Sequence, residues 1–324
     1  MSSARYVRAF FIVILASLGT TPWAFAASEG QFERTLEVTG PVNLEIDSGA
    51  GDIRVFTGSS SEVHVTGRIR ASTWFRSADE DVRKLEGNPP IQQSGNDIRI
   101  GHIDDPELRR HVAVSYEVAV PQNTQLRSSN GSGNQDISQI SGPVEASTGS
   151  GAIKISGIRS SVRVHSGSGD IQISHVAGSV LARAGSGSIR ATEVAGGFDG
   201  QTGSGQLVLE QSAPGSVRAE TGSGSVELHN LHGSLRAQTG SGTIQADGEA
   251  TGAWFVRTGS GDVELRVPQN ASFDLNAHTG SGSIRLNHPV TEGGSSGKKD
   301  IRGKVRGGGV PIEVNTGSGS IRID

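Results

Sequence analysis

The sequence contains no cysteine, and only 4% of its 324 residues are aromatic. The absence of cysteine excludes disulfides, thiol catalysis, thiolate metal ligands and a lipidated N-terminal cysteine. The scarcity of aromatic residues argues against aromatic-lined pockets, stacking platforms for bases and the aromatic girdles of membrane proteins. The formal net charge is −4, so nucleic acid is not an expected partner.

The first 26 residues have the pattern of an export signal. Arg5 and Arg8 precede an apolar run at 10–18 that is too short to span a bilayer, and Ala24-Phe25-Ala26 supplies small residues at a cleavage site. We predict cleavage after Ala26; the alternative is an uncleaved anchor. No other long apolar run follows. The sequence therefore predicts an exported protein, periplasmic, at the cell surface or extracellular, with no transmembrane segment in its mature chain.

From residue 131 onward the chain repeats a short glycine motif. Gly-Ser-Gly begins at Gly131 and recurs mostly every 18 residues, starting at positions 149, 167, 185, 203, 222, 240, 259, 280 and 317. A related segment, Ser48-Gly49-Ala50-Gly51, lies far upstream. A fixed period of this size is typical of solenoids and arrays. We expect each glycine corner to use the positive φ angles that other residues resist.

Aliphatic residues occupy fixed columns around each triplet. In one repeat, Val162 precedes the triplet and Ile171 and Ile173 follow it, with polar residues between them. This alternation predicts two short strands per repeat, each with one buried face. Small residues such as Ala182 dominate one further column, and threonine, as at Thr202, dominates the position directly before the triplet.

Two topologies fit this pattern. An antiparallel meander closing into a membrane barrel would need strands of about 9–11 residues and aromatic girdles. Stacked parallel coils explain the threonine and small-residue columns better, because like residues then lie on like residues. We therefore predict an all-β protein: a right-handed, flattened parallel β-helix (β-solenoid) with coils of about 18 residues and one short helical insertion.

The predicted organisation has three parts. They are a signal peptide at 1–26, N-terminal β coils at 27–130 with a helical insertion at 71–111, and regular Gly-Ser-Gly repeats at 131–324 with a flexible insertion at 287–310. Such a chain counts as a repeat array, for which the usual relation between length and domain number does not hold.

The two insertions carry their own signals. Ser77 and Glu80 form a capping box that predicts a short helix through Glu86. The second insertion has a Gly/Ser-rich stretch followed by a basic run from Lys298 to Arg306. We expect the basic run to be a solvated loop; the alternative is contact with anionic lipid or glycan.

No motif in the sequence predicts catalysis, a cofactor or a metal. Asp170 and Asp262 follow Gly-Ser-Gly triplets, but two scattered acids are too few ligands for Ca²⁺, and we interpret them as turn residues. The segment from His102 to His111 contains metal-capable side chains, but Pro106 favours an irregular loop that would not converge them. The repeated serines differ from a nucleophile elbow, which needs a following helix.

Outward positions on one strand face carry many cations. The weak binding candidates among them are Arg163, Arg183, Arg218, Arg236 and Arg257, interleaved with acids such as Glu145 and Asp199. Our first interpretation is a solvated wall of mixed charge that keeps the sheet from aggregating. The functional alternative is a repetitive surface that meets an anionic polymer by many weak contacts.

The order of the motifs resembles a bacterial adhesin-type family of β-strand repeats, DUF4097. The matching segments are 42–46, 49–55, the short helix at 77–86, Tyr116-Glu117-Val118-Ala119-Val120-Pro121, the Thr-Gly-Ser-Gly array, 267–271 and 307–312. The resemblance implies a β-solenoid outside the cytoplasm and a nominal adhesin role. It brings no catalytic residues.

The predicted function is that of an exported, non-enzymatic, adhesin-like or structural interaction protein of the bacterial cell envelope. A polysaccharide-active enzyme of the β-helix type and a passive envelope spacer are the alternatives; an enzyme would need long corner loops to build a concave site. The predicted partner is an envelope or extracellular polymer such as a glycan, or a protein. The last coil is expected to be an open edge, which either allows end-to-end self-association or is covered by the 287–310 insertion.

Overall fold

The computed structural model describes residues 28–72, 78–292 and 297–324, without the side chains of residues 291 and 292. The predicted signal segment and its cleavage site lie outside these residues, as does Ser77, the predicted helix cap. Within them the chain forms 29 strands and two helices.

The strands before the regular repeats are β1 (Ser28–Glu37), β2 (Val42–Ala50), β3 (Ile53–Thr57), β4 (Glu62–Ala71), β5 (Ile91–Ser94), β6 (Asp97–Ile100), β7 (Val112–Val120), β8 (Thr124–Ser132) and β9 (Gln135–Ser138). The strands of the regular repeats are β10 (Val144–Thr148), β11 (Ile153–Ile158), β12 (Val162–Ser166), β13 (Ile171–Val176), β14 (Val180–Ala184), β15 (Ile189–Val194), β16 (Phe198–Thr202), β17 (Leu207–Gln211), β18 (Val217–Thr221), β19 (Val226–His232), β20 (Leu235–Ser241), β21 (Ile244–Glu249), β22 (Trp254–Ser260), β23 (Val263–Arg266), β24 (Phe273–Ser281) and β25 (Ile284–Leu286). The last strands are β26 (Val290–Glu292), β27 (Asp300–Val305), β28 (Val310–Ser318) and β29 (Ile321–Ile323), and the helices are α1 (Ala78–Gly87) and α2 (Pro106–His111).

The strands form two mainly parallel sheets that face each other. A 14-stranded sheet, here wall A, contains β11, β13, β15 and their equivalents, and a 15-stranded sheet, wall B, contains β10, β12, β14 and theirs. Each Gly-Ser-Gly corner leads from wall B to wall A. Ile153 pairs with Ile171 and Val144 with Val162, one repeat apart. The predicted β-solenoid is therefore confirmed.

The predicted aliphatic columns form the core. Ile171 and Ile173 have exposures of 0% and 2%, whereas Gln172 between them is exposed. The small-residue column lies where the walls come close together. A Cβ built on Gly200 would lie 2.5 Å from the Phe198 ring and 2.9 Å from Leu207 on the opposite wall. Burying one apolar face from each wall is thus what holds the coils together.

The threonine column is buried and binds the glycine corners. The Thr202 hydroxyl donates to the Gly187 carbonyl of the preceding coil at 2.8 Å and accepts from the Gly205 N–H at 3.2 Å. Thr221 repeats this geometry one coil later, and Ser166 two coils earlier has a similar arrangement. Buried backbone groups at the corners therefore find partners in side chains rather than water.

The corners need glycine for two reasons. The last glycine of five of the ten triplets, including Gly133 and Gly319, has the expected positive φ, whereas the first glycine is needed because of its close contact with the preceding coil. A Cβ on Gly149 would lie 2.5 Å from the carbonyl oxygen of Gly131 in the preceding coil, while its φ is outside the left-handed region. Close stacking of successive corners therefore excludes a side chain there. Residues other than glycine with a positive φ lie near the ends of the wall A strands, including His175, Glu193 and Asn230.

Both ends of the solenoid depart from sequence order. β2 lies between β6 and β8, and β3 between β7 and β9. At the other end β28 lies between β22 and β24, and β29 between β23 and β25. The expectation that the coil at 310–323 forms the open end is therefore wrong. This coil is internal to the stack.

The middle of the basic run belongs to a strand rather than a solvated loop. β27 pairs antiparallel with β24, so that Lys304 lies opposite Asp274 and Arg302 opposite Asn276. The predicted insertion thereby covers the edge of wall B at β24, and not the final coil, which one of the two alternatives expected it to cover. The three-residue strand β26 pairs with the outer side of β27 and is the edge of the sheet at this end, and so short an edge strand gives further strands little to pair with.

Two helices lie beside the first coils. The predicted helix α1 packs on β1 and β4 through Val82 and Leu85.

The second helix, α2, was not expected, because Pro106 was interpreted as a loop residue. Proline is favourable at the first helical turn, and the Asp105 carboxylate accepts from the N–H groups of Glu107 and Leu108 at 3.0 and 3.3 Å. These bonds lower the pKa of Asp105. Neither helix is long and apolar enough to cross a membrane, within the residues that the structure describes.

Candidate binding surface on wall B

The outer face of wall B carries a long groove of about 890 Å³. It crosses eight neighbouring strands, from β8 to β22, near the point where each strand begins. We call it the wall B groove. In each coil, one outward-facing strand residue forms the floor of the groove, and the turn residue two positions before it forms the side. Stacking repeats both positions from coil to coil, so the groove is continuous across the eight strands.

Strand register fixes the floor of the groove. The floor residues are, in order along the stack, Arg127, Glu145, Arg163, Leu181, Asp199, Arg218, Arg236 and Phe255. Four are arginines and two are acids. Successive floor residues are about 4.8 Å apart, because this is the spacing of paired strands.

Most of the charged floor residues are held in place by a neighbour. Arg127 forms an ion pair with Glu145 at 3.0 Å, and Arg218 forms one with Glu220 at 2.8 Å. The hydrogen bond to Glu220 raises the pKa of the Arg218 guanidinium. The Arg236 guanidinium lies 5.5 Å from the centre of the Phe255 ring. A cation held over an aromatic face or a carboxylate loses less freedom on binding a ligand.

Arg163 differs from the other floor arginines. Its side chain is exposed, and no ion pair or hydrogen bond engages it among the described residues. The acid beside it, Glu145, is already paired with Arg127, and the residue on its other side is Leu181. Arg163 is therefore a cation of the groove that has no partner among the described residues and is available to an external anion.

The side of the groove is a row of small residues. Its members include Ser161, Ser179, Ser216 and Ser234, all exposed. Their carbonyl groups are used inside the fold, as when Ser179 accepts from the N–H of Val162 at 2.9 Å. Their hydroxyls remain at the surface, where each can donate and accept a hydrogen bond.

The structure places the five predicted binding candidates in two rows. Arg163, Arg218 and Arg236 lie on the groove floor. Arg183 and Arg257 lie in the next outward column, in register with Gln201 and Gln238 respectively. Arg183 borders a separate depression of about 440 Å³, and Arg257 lines neither this depression nor the groove.

Sequence reasoning missed several groove residues. Arg127 and Phe255 stand at the same place relative to their triplets as Arg163 does, so the repeat period could have found them. The serine row stands two positions earlier and is equally periodic. Leu181 carried no signal, because a leucine in an outward column has no obvious role until the register places it on the floor.

The candidate metal ligands have structural partners. Asp170 accepts from the N–H of Ser188 at 2.8 Å, and Asp262 from the N–H of Ser320 at 2.7 Å. These acids thus link one corner to the neighbouring coil, which agrees with their interpretation as turn residues. His102 contacts Asp104 at 3.1 Å. The described residues contain no group of three or more histidine, aspartate or glutamate side chains arranged to hold a metal ion.

The fold and this surface define a class: a flattened parallel β-solenoid with interleaved end coils and a long polar groove on one wall. The chain belongs to the Toastrack DUF4097 family, whose sequence profile matches residues 42–324. The resemblance inferred from the motifs is therefore confirmed. No match is found among curated proteins.

Three solved structures are similar to this chain. A “putative adhesin” from Bacteroides fragilis is 10% identical, with a TM-score of 0.36 and coverage of 92% of this chain and 98% of its own. A “putative adhesin” from Parabacteroides distasonis is 12% identical, with a TM-score of 0.31 and coverages of 90% and 97%. A “putative cell adhesion protein” from Clostridium sporogenes is 10% identical, with a TM-score of 0.21 and coverages of 91% and 99%.

Proposed function

We propose that this protein is exported and acts as a non-enzymatic, adhesin-like interaction protein of the bacterial cell envelope. In this proposal it binds an extended partner along wall B. The single observation that carries the proposal is the continuous groove across eight strands. A groove of about 34 Å, seven strand spacings long, suits an elongated partner better than a small molecule.

Binding along such a groove would rest on many weak contacts. Exposed ion pairs are worth about 0.2–1 kcal/mol each. When they are repeated on one rigid wall, a polymer that makes the first contact makes the next at high effective concentration. A stiff solenoid presents these groups without the ordering cost of a flexible loop.

The arrangement of acids in the groove argues against a glycosidase. Glu145 and Asp199 are three strands apart, which corresponds to about 14 Å, whereas glycosidase carboxylates are about 5–9.5 Å apart. Glu145 is also engaged by Arg127. The enzymatic alternative therefore has no carboxylate pair to use within this groove.

The export part of the proposal rests on the N-terminal sequence. Arg5, Arg8, the apolar run at 10–18 and Ala26 fit a cleavable signal. We expect the protein from fractionated cells to begin at Ala27 and to be absent from the cytoplasm. N-terminal sequencing of each fraction checks this, and a cytoplasmic protein beginning at residue 1 contradicts it.

The binding part can be tested with two triple variants. Arg163→Ser, Arg218→Ser and Arg236→Ser remove three cations from the groove, and Lys154→Ser, Arg190→Ser and Arg285→Ser remove three from wall A. If each groove contact contributes about 0.5 kcal/mol, the first variant should bind purified envelope material about tenfold more weakly. The second should bind like the unaltered protein. Equal binding by all three proteins, or no binding by any, contradicts the proposal and favours a passive spacer.

A further inference from the structure

The charge of the wall B groove is opposite in sign to that of the whole chain. The protein has a formal net charge of −4, but the groove lining contains four arginines and two acids. Arg127 is paired with Glu145 and Arg218 with Glu220, which leaves Arg163 and Arg236 opposed by Asp199 alone. The local excess of positive charge would attract an acidic ligand, while the remaining surface would repel it.

The groove also offers hydroxyl groups and apolar surface. Ser161, Ser179, Ser216 and Ser234 border it, and Leu181 and Phe255 are half-buried parts of its floor. A matching ligand therefore has many hydroxyls, apolar C–H faces and intermittent negative charges. Linear polysaccharides that contain uronic acids have all three properties.

Two other polymers fit less well. A nucleic acid has one phosphate per nucleotide and would favour a more basic surface with several stacking platforms, whereas Phe255 is the one aromatic side chain among the floor residues. A peptide that adds a β-strand needs a free sheet edge. The groove floor lies in the middle of a 15-stranded sheet, where the strands on both sides are already paired.

Building on the proposed function, we propose that the wall B groove binds a linear acidic polysaccharide whose chain runs along the stacking axis. Its carboxylates bind Arg163 and, three strands further along, the neighbouring pair Arg218 and Arg236. Its hydroxyls bond to the serine row. Guanidinium groups suit this role because they bind carboxylates through two parallel hydrogen bonds.

This arrangement predicts that affinity depends on ligand length. A short oligosaccharide reaches one cationic position, whereas a longer one spans from Arg163 on β12 to Arg236 on β20, four strands or about 19 Å away. Affinity should therefore rise with each added sugar until the groove is filled and then level off. It should also fall as salt concentration rises, because the contacts are exposed to solvent.

The test is to measure the affinity of the purified protein for oligogalacturonates of increasing length by titration calorimetry. Cello-oligosaccharides of equal length serve as neutral probes. Arg163→Gln should weaken binding of the long acidic oligomer about three- to tenfold, since it removes one charge-assisted contact. Arg163→Lys should restore part of this loss. The matched control Arg190→Gln, on wall A, should leave affinity unchanged.

Three results would overturn this inference: equal affinity for the neutral oligomers, an equal effect of Arg190→Gln, or tighter binding of double-stranded DNA or inorganic polyphosphate. The outcome is separable from that of the proposed function. If envelope material binds through the groove arginines but oligogalacturonate does not bind, the ligand class is wrong and the binding role stands. If neither binds, both are wrong.

Discussion

At the residue scale, the buried hydroxyl beside each corner links one coil to the next. Thr202 donates to the preceding coil and accepts from its own corner. Threonine suits this position because its methyl group fills core space while its hydroxyl satisfies two backbone groups. The column is interrupted at Ala184, which is buried and has no hydroxyl to offer.

This interruption gives a matched pair of variants. Thr202→Val keeps the shape but leaves the Gly205 N–H and the Gly187 carbonyl without this partner, so we expect the free energy of unfolding to fall by about 1–3 kcal/mol. Ala184→Thr places a hydroxyl in the same column and should raise the free energy of unfolding by about 0.5–1.5 kcal/mol. Urea unfolding of both variants checks this. A destabilising Ala184→Thr would show that the column has no room for a hydroxyl there.

At the element scale, each strand is a short segment whose alternate residues face the core. The sequence period predicted these strands well, since a buried column such as Ile153, Ile171 and Ile189 is visible as a repeated letter. No single strand of about five residues would be stable alone. Its stability comes from the two neighbouring coils on which it lies.

One pair of adjacent positions tests this alternation. Ile171→Asp places an unpaired carboxylate in the core and should cost about 3–5 kcal/mol. Gln172→Asp, one residue further on and exposed, should change the free energy of unfolding by less than about 0.5 kcal/mol. Thermal unfolding of the two variants measures the difference. Similar losses in both would mean that the strand faces are assigned incorrectly.

Other elements could not be predicted from the repeat alone. The inward residues Trp254, Leu275 and Ile312 are equally suitable neighbours, so the sequence pattern does not say which coil lies on which. The connections decide this order. The arginines of the candidate site could be found from their column, but the groove could not, because it needs the strand register that brings eight coils side by side.

At the scale of the whole molecule, both ends of the stack are interleaved. The coil of β2 and β3 is enclosed by later coils, and the coil of β28 and β29 is enclosed by earlier ones. Each of these coils therefore has a partner on both sides. The outermost strands are β1, β5 and β26, which pair antiparallel with their neighbours, and the three-residue strand β25, which pairs parallel with β29. The irregular segments thus act as caps for the regular repeats, whose exposed edges would otherwise add further strands.

Engineered disulfides can test the order of the coils, because the chain has no cysteine of its own. Ser260 and Ser318 are register partners in β22 and β28, whereas Ser281 lies beyond Ser318. Partners in adjacent strands are about 4.8 Å apart and within reach of a disulfide, while residues two strands apart, at about 9.6 Å, are not. We therefore expect Ser260→Cys with Ser318→Cys to oxidise to an intramolecular disulfide and Ser260→Cys with Ser281→Cys to keep two free thiols. Thiol titration and mass spectrometry distinguish these states. A disulfide in the second variant but not the first would show coils stacked in simple sequence order, which contradicts the interleaved end.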